Sequence, residues 1–352
     1  MSQPANANTA VLLLAHGTPN VLGEMAEYLS KVTGGRALPP HVVAELQHRY
    51  ALIGLRDKPG LGDTHGTQPP PLTRWTLEQG RLLEAALAAA GTALPVYVAM
   101  RNWHPFIPDV VRQMLADGVT RILAICLAPQ NSSTSTGLYR RALVAALDAE
   151  ASRNPSAPKP ALTFIDAWSE EPALIAAFAQ RLVDAYPEAC NQSATALPVL
   201  FTAHSVPTRT VVSSESNPTP DPYPVEAKRT AELVFDSAAR QLPTLKSWLF
   251  AFQSQGVAGG PWLGPTVEET LADLAAAGHP GVVLQPIGFL SDHVEILYDI
   301  DIAFTETARS LGLRLYRPES LNDSPLLTAA LVDVVTSNLV HSPRTSNLEP
   351  RT

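Results

Sequence analysis

The chain has 352 residues, 45% of them hydrophobic, with two cysteines and a net charge of −8. That length exceeds one ordinary small core and that composition is globular, so two domains or one two-lobed body is expected. The acidic balance without any Lys/Arg-rich run excludes a nucleic-acid footprint, Cys126 and Cys190 lack the spacing of a zinc site or iron–sulfur cluster, and no apolar run approaches the roughly 18 residues of a membrane span.

The opening "MSQPANANTA" has neither the basic start nor the apolar middle of a signal peptide, so a cytoplasmic location is expected. Strands are predicted in chain order at 10–17, 94–101, 121–129, 161–168, 198–205, 247–254, 281–288 and 313–320. Each is a short apolar run followed by an Ala/Leu/Glu-rich helical stretch, the alternation of a parallel-sheet α/β protein. Four strands per half, with proline-rich and polar segments near the midpoint, predict two Rossmann-like, doubly wound lobes, each with a four-stranded parallel sheet, facing across a cleft. Residues 9–170 form the first lobe in this reading, 171–318 the second, 319–341 a helix packing back on the body, and 342–352 a disordered tail. Segment 56–70 is rich in Gly, Pro and Asp and is read as mobile.

Ligands in such sheets bind beyond the carboxyl ends of the strands, which puts His16, Arg101, the segment after Pro129, His204, Gln253 and the segment after Gly288 on one rim. "LLLAHGTP" and "FTAHSVP" each deliver a histidine at a strand end, His16 and His204, one per half. In "PIGFLSDHVEILYDIDIAF", Ser291 is placed to N-cap a helix with Asp292 in its first turn. Glu295 and Asp299, four apart, would then stack on one face while Val294, Leu297 and Tyr298 turn inward. Carboxylates beside the imidazole of His293 suit a loosely held divalent metal or proton relay. "APQNSSTSTGLY" sets Ser132, Ser133 and Thr134 before a helix carrying Tyr139, where an anionic ligand group can sit. The Gly- and Pro-rich loop around Trp262 can present a flat ligand with an apolar wall.

Taken together, these motifs resemble the ferrochelatases. The resemblance runs from about residue 10 to 340, through "GTPNVLGEMAEYLSKVTGGR", "RYALIG", "PLTRWTLEQG", "FTAHSVP", "DPYP", "FQSQGVAGGPWLGPTVEETL", "PIGFLSDHVEILYDIDI" and "RPESLNDSPLL". It implies insertion of Fe2+ into a porphyrin with release of two protons, in haem synthesis, with iron as substrate, no organic cofactor and no iron–sulfur cluster. His204 matches the family's essential histidine and Glu295 its partner acid. Asp299 matches the next carboxylate of an acidic row, which Ala303 cuts short. Arg101 takes a position near the propionates, and Tyr50, Gln253 and Trp262 fall in cleft-shaping segments.

The first half more closely resembles the soluble enzymes that use coproporphyrin III, for whose four propionates Arg36, Arg49, Arg101 and the hydroxyls of 132–136 are the expected donors. His16 stands where such relatives often carry a tyrosine, and is expected to ligate the product iron. The alternatives are a protoporphyrin IX enzyme, a sirohydrochlorin-type cobalt or nickel chelatase, and a non-catalytic haem or porphyrin carrier. A monomer is expected, in transient contact with neighbouring enzymes of the haem pathway.

Overall fold

The computed structural model describes residues 8–57, 70–215, 217–256 and 260–339. Most of the 56–70 segment and the whole 342–352 tail lie outside the described residues. β1 (Thr9–Ala15) leads through α1 (Met25–Val32), α2 (Pro40–Leu52) and α3 (Pro71–Ala89) to β2 (Val96–Met100), α4 (Ile107–Ala116), β3 (Arg121–Cys126), α5 (Thr136–Arg153) and β4 (Ala161–Ile165). α6 (Pro172–Ser193) carries the chain to β5 (Val199–His204), α7 (Thr208–Val211), α8 (Tyr223–Ala239), β6 (Trp248–Gln253), α9 (Val267–Ala276), β7 (Gly281–Pro286), α10 (Val294–Leu297), α11 (Thr305–Ser310), β8 (Arg314–Tyr316) and α12 (Pro325–Leu339).

The strands form two four-stranded parallel sheets, ordered β2-β1-β3-β4 and β6-β5-β7-β8. All eight predicted strands are present, each shorter than its apolar run, because the run continues into the turn at the strand's carboxyl end. β1 shows why these sequences are strands: Ala10 to Leu14 are fully buried, with alternate side chains in separate clusters on the two faces of the sheet. Helices on both sides turn a continuous apolar run, rather than an alternating one, into a strand. Fully burying one such leucine contributes about 1.5–3 kcal/mol. Prolines at the first turns of α2, α3, α6 and α8 start helices where a backbone N–H would have no partner.

The two lobes share one core. Val11, Leu13 and Leu123 of the first sheet belong to the same buried cluster as Val199, Phe201 and Val283 of the second, joined by Phe178 and Leu182 of α6. α12 packs against both α3 and α6. No helix among the described residues is long and apolar enough to cross a membrane.

The acidic segment differs from its expected regular helix. Ser291 is not its cap: His293 holds the extended N-cap position, and α10 lasts one turn before a π-helical turn, Asp299–Phe304. Ala303 N–H reaches back five residues to the Tyr298 carbonyl at 2.9 Å. The wider turn breaks the i, i+4 face, and the inward side chains are Ile296, Ile300 and Phe304 rather than Val294, Leu297 and Tyr298.

Candidate active site

The carboxyl ends of both sheets open onto one cavity of about 370 Å³. From the first lobe it is reached by His16, Tyr28, Tyr50, Arg101 and Tyr139, and from the second by His204, Trp262, Phe289, His293 and Glu295. Strand β1 ends at Ala15, and the turn that projects His16 depends on Gly17, whose φ is +84° and where a Cβ would stand 2.8 Å from the Trp103 amide nitrogen. Only glycine meets both demands.

At the centre, Glu295 lies between two imidazoles. Its Oε1 is 3.7 Å from His204 Nε2 and its Oε2 is 3.7 Å from His293 Nε2. Each histidine donates from Nδ1 to a backbone carbonyl, His204 to that of Ser205 and His293 to that of Ser291 at 2.9 Å. Those bonds fix the tautomer and leave both Nε2 atoms as the sites that can take or give a proton. Burial opposes the charge of Glu295, yet His204, His293 and His16 outweigh it and hold the carboxyl down to about 2. Burial acts against a charged His293 as well, but Glu295 raises it above the ordinary imidazole value.

Several side chains expected to reach the ligand stand elsewhere. Gln253 is buried behind the site: its Oε1 accepts from Thr202 Oγ1 at 2.7 Å and its Nε2 donates to the Glu295 carbonyl at 2.9 Å, so it braces the acid rather than touching the cavity. Asp299 accepts from Ser254 Oγ at 2.7 Å and does not line the cavity. Arg49 pairs with Glu45 at 3.0 Å and covers the Tyr298 ring, and exposed Arg36 lies in the loop between α1 and α2; neither lines the cavity. The hydroxyls of Ser132 and Ser133 donate to Asp221 Oδ2 at 3.2 and 2.8 Å, so their protons are committed to the protein, and Ser133 is outside the cavity. Ser132 and Thr134 still line it, joined by Ser135.

His16 does line the cavity, but the lone pair expected to be open is taken. Nδ1–H donates to the Gly17 carbonyl at 3.0 Å, and Nε2 accepts from Asn102 Nδ2 at 2.9 Å. Burial lowers its pKa to about 4, aided by Arg101, so the ring is neutral near pH 7. Tyr28, whose hydroxyl is 3.3 Å from His16 Nδ1, and Asn102 escaped the sequence reading. Asn102 directly follows Arg101, and that adjacency was its one signal. Phe289, 4.7 Å from the His293 ring by centroids, was hidden inside an apolar run.

Trp262 walls the second lobe above His204, with ring centroids 6.4 Å apart. A Cβ on Gly256 would lie 2.4 Å from its indole, so the glycine allows the close approach. Among the described residues no group of three or more His, Cys, Asp or Glu is arranged to hold a metal ion.

A largely apolar cavity at the carboxyl ends of two parallel sheets, with a carboxylate set between two imidazoles, defines a class of protein that encloses an apolar ligand beside groups able to exchange protons. Residues 8–339 match the family model for ferrochelatase. A ferrochelatase of Acidobacterium capsulatum is 51% identical over 338 residues, covering 94% of each chain. A coproporphyrin III ferrochelatase of Geobacillus sp. WCH70 is 30% identical, covering 94% of this chain and 98% of that one. In three dimensions the chain is similar to SirB from Bacillus subtilis with Fe3+, with a TM-score of 0.50 and 13% identity over 94% of this chain and 96% of that one, a likeness of fold alone. The chain belongs to the ferrochelatase family, enzymes that insert iron into a porphyrin.

Proposed function

We propose that this ferrochelatase takes coproporphyrin III and releases coproheme. The reading rests on one observation above others: Arg101, set over the Tyr139 ring of α5, lines the cavity together with the hydroxyl-bearing Thr134 and Ser135 at the amino end of that helix. A guanidinium, hydroxyls and a helix amino end together suit carboxylates. The relative from Geobacillus that bears the coproporphyrin name supports the same choice.

In this reading the ring is gripped along its apolar faces by Trp262, Phe289, Leu138 and Tyr139, and peripheral binding energy bends it so that its nitrogens leave the plane. His204 and Glu295 act where the pyrrole protons leave. His204 Nε2 accepts one proton. Glu295 takes the second proton on a carboxylate oxygen, hands it to His293 Nε2 and, ionised again, offers its charge to the arriving Fe2+. His16, neutral and fixed as the Nδ1–H tautomer, ligates the product iron through Nε2 once Asn102 releases that atom.

Purified protein with Fe2+ under anaerobic conditions and either porphyrin, followed by loss of free-base fluorescence, tests the substrate. A higher kcat/KM with coproporphyrin III is expected, abolished in His204→Ala. Preference for protoporphyrin IX would overturn the proposal.

A further inference from the structure

The turn that delivers His293 is held by a residue far from it in sequence. Asn322, between β8 and α12, has a φ of +46°, a left-handed conformation that asparagine tolerates better than most residues. Its backbone N–H donates to the Leu290 carbonyl at 2.9 Å. Its Oδ1 accepts from the Asp292 N–H at 2.9 Å and its Nδ2 donates to Asp292 Oδ2 at 2.9 Å. Its own carbonyl accepts from Gln79 Nε2 at 2.6 Å. Gln79 belongs to α3 of the first lobe, is buried, and uses the same nitrogen to reach Ser291 Oγ at 2.8 Å.

Both amide orientations are set by their partners. Reversing Gln79 would bring two oxygens together, and reversing Asn322 would set N–H against N–H and oxygen against carboxylate. Residues 290, 291 and 292 are therefore each gripped by Asn322 or Gln79, while Leu290, Ser291, His293 and Glu295 all line the cavity. Asp292 is steadied from its other side by Ser320 Oγ at 2.7 Å and by Arg317, whose guanidinium also holds Asp301 in the π-helical turn.

We propose that Asn322 is a positioning residue for metal insertion, fixing the turn that carries His293 and Glu295 against the first-lobe wall of the cleft. Glycine would adopt the backbone conformation at 322 at no steric cost. The amide adds only its two bonds to Asp292, and these set where the turn lies. An active-site group displaced by about 1 Å can lose on the order of a hundredfold in rate.

The test uses anaerobic Fe2+ and whichever porphyrin the enzyme metallates, so it stands apart from the choice of substrate. Asn322→Gly keeps the φ and both backbone bonds. It is expected to stay folded by circular dichroism and to bind porphyrin within about threefold, while kcat falls about tenfold to a hundredfold. Asn322→Asp sets carboxylate against carboxylate and should fall as far. The exchange Asn322→Asp with Asp292→Asn keeps the bond from the backbone N–H of 292 to the side-chain oxygen of 322 and rebuilds the side-chain bond with donor and acceptor reversed, and should recover kcat to within about threefold of the parent. A kcat unchanged in Asn322→Gly, or an exchanged pair that folds but stays as slow as Asn322→Asp, would overturn the proposal. If Asn322→Gly does not fold, the comparison of Asn322→Asp with the exchanged pair decides.

Discussion

Replacing Glu295 by glutamine removes one charge and almost no volume from the centre of the site. Its oxygens lie 3.7 Å from two imidazole nitrogens. At such a separation a carboxylate and a protonated imidazole interact by about 4 kcal/mol where the effective dielectric is about 20. The substitution therefore removes the main force favouring a proton on His293. General acid–base groups of this kind contribute about a hundredfold to ten-thousandfold in rate, so kcat for metallation should fall by that order. Porphyrin affinity, which the proposed reading assigns to the apolar walls and Arg101, should hold within about threefold. A second readout separates electrostatics from damage. Burial is the largest influence on His293 and acts against its charged form; Glu295 is what lifts its pKa above the ordinary value. In Glu295→Gln the His293 resonance should titrate below the ordinary imidazole pKa in an NMR pH series. A variant whose kcat stays within about fivefold of the parent, or whose His293 still titrates above 6.5, would refute the reasoning.

Arg101→Leu removes the one guanidinium that lines the cavity among the described residues and should raise KM for coproporphyrin III about tenfold, the value of one charge-assisted hydrogen bond, with kcat changed less; an unchanged KM would show that the propionates lie elsewhere. His16→Ala should shift the optical spectrum of the haem-bound protein, and an unchanged spectrum would mean that Asn102 keeps the imidazole from the iron. Because the folded pKa of His16 is depressed to about 4, its contribution to stability is complete above the unfolded value of 6.5 and is lost as pH falls through that window. Chemical denaturation midpoints of the parent should therefore fall between pH 6.5 and 4 more steeply than those of His16→Gln, and parallel curves would count against a buried neutral imidazole.

The strands were legible because a parallel strand covered on both faces must be apolar along its whole length, and "AVLLLA" and "GVVLQP" have few other structures open to them. His204 was legible for a related reason: a strand end fixes where a side chain points before any tertiary contact forms, whereas Glu295 was carried by the resemblance, its first-turn position emerging only once His293 proved to be the N-cap. The π-helical turn was not, since the spacing of Glu295 and Asp299 fits a regular helix equally well and only the Tyr298 carbonyl, meeting both Ile302 and Ala303, reveals the wider turn. Arg49 and Gln253 also read as ligand-facing until their partners were in place. Glu45 lies one turn away from Arg49, and Thr202 lies 51 residues from Gln253.

Local sequence thus determined which segments are strands and that each half places a histidine beyond a strand's carboxyl end. The tertiary structure alone decided which polar groups remain free for a ligand. Ser133 is committed to Asp221, 88 residues away, and Gln79 is committed to Asn322, 243 residues away. The apolar pattern reports burial, a property each residue carries by itself. A hydrogen bond needs a partner brought within about 3 Å, and only the packed lobes supply it.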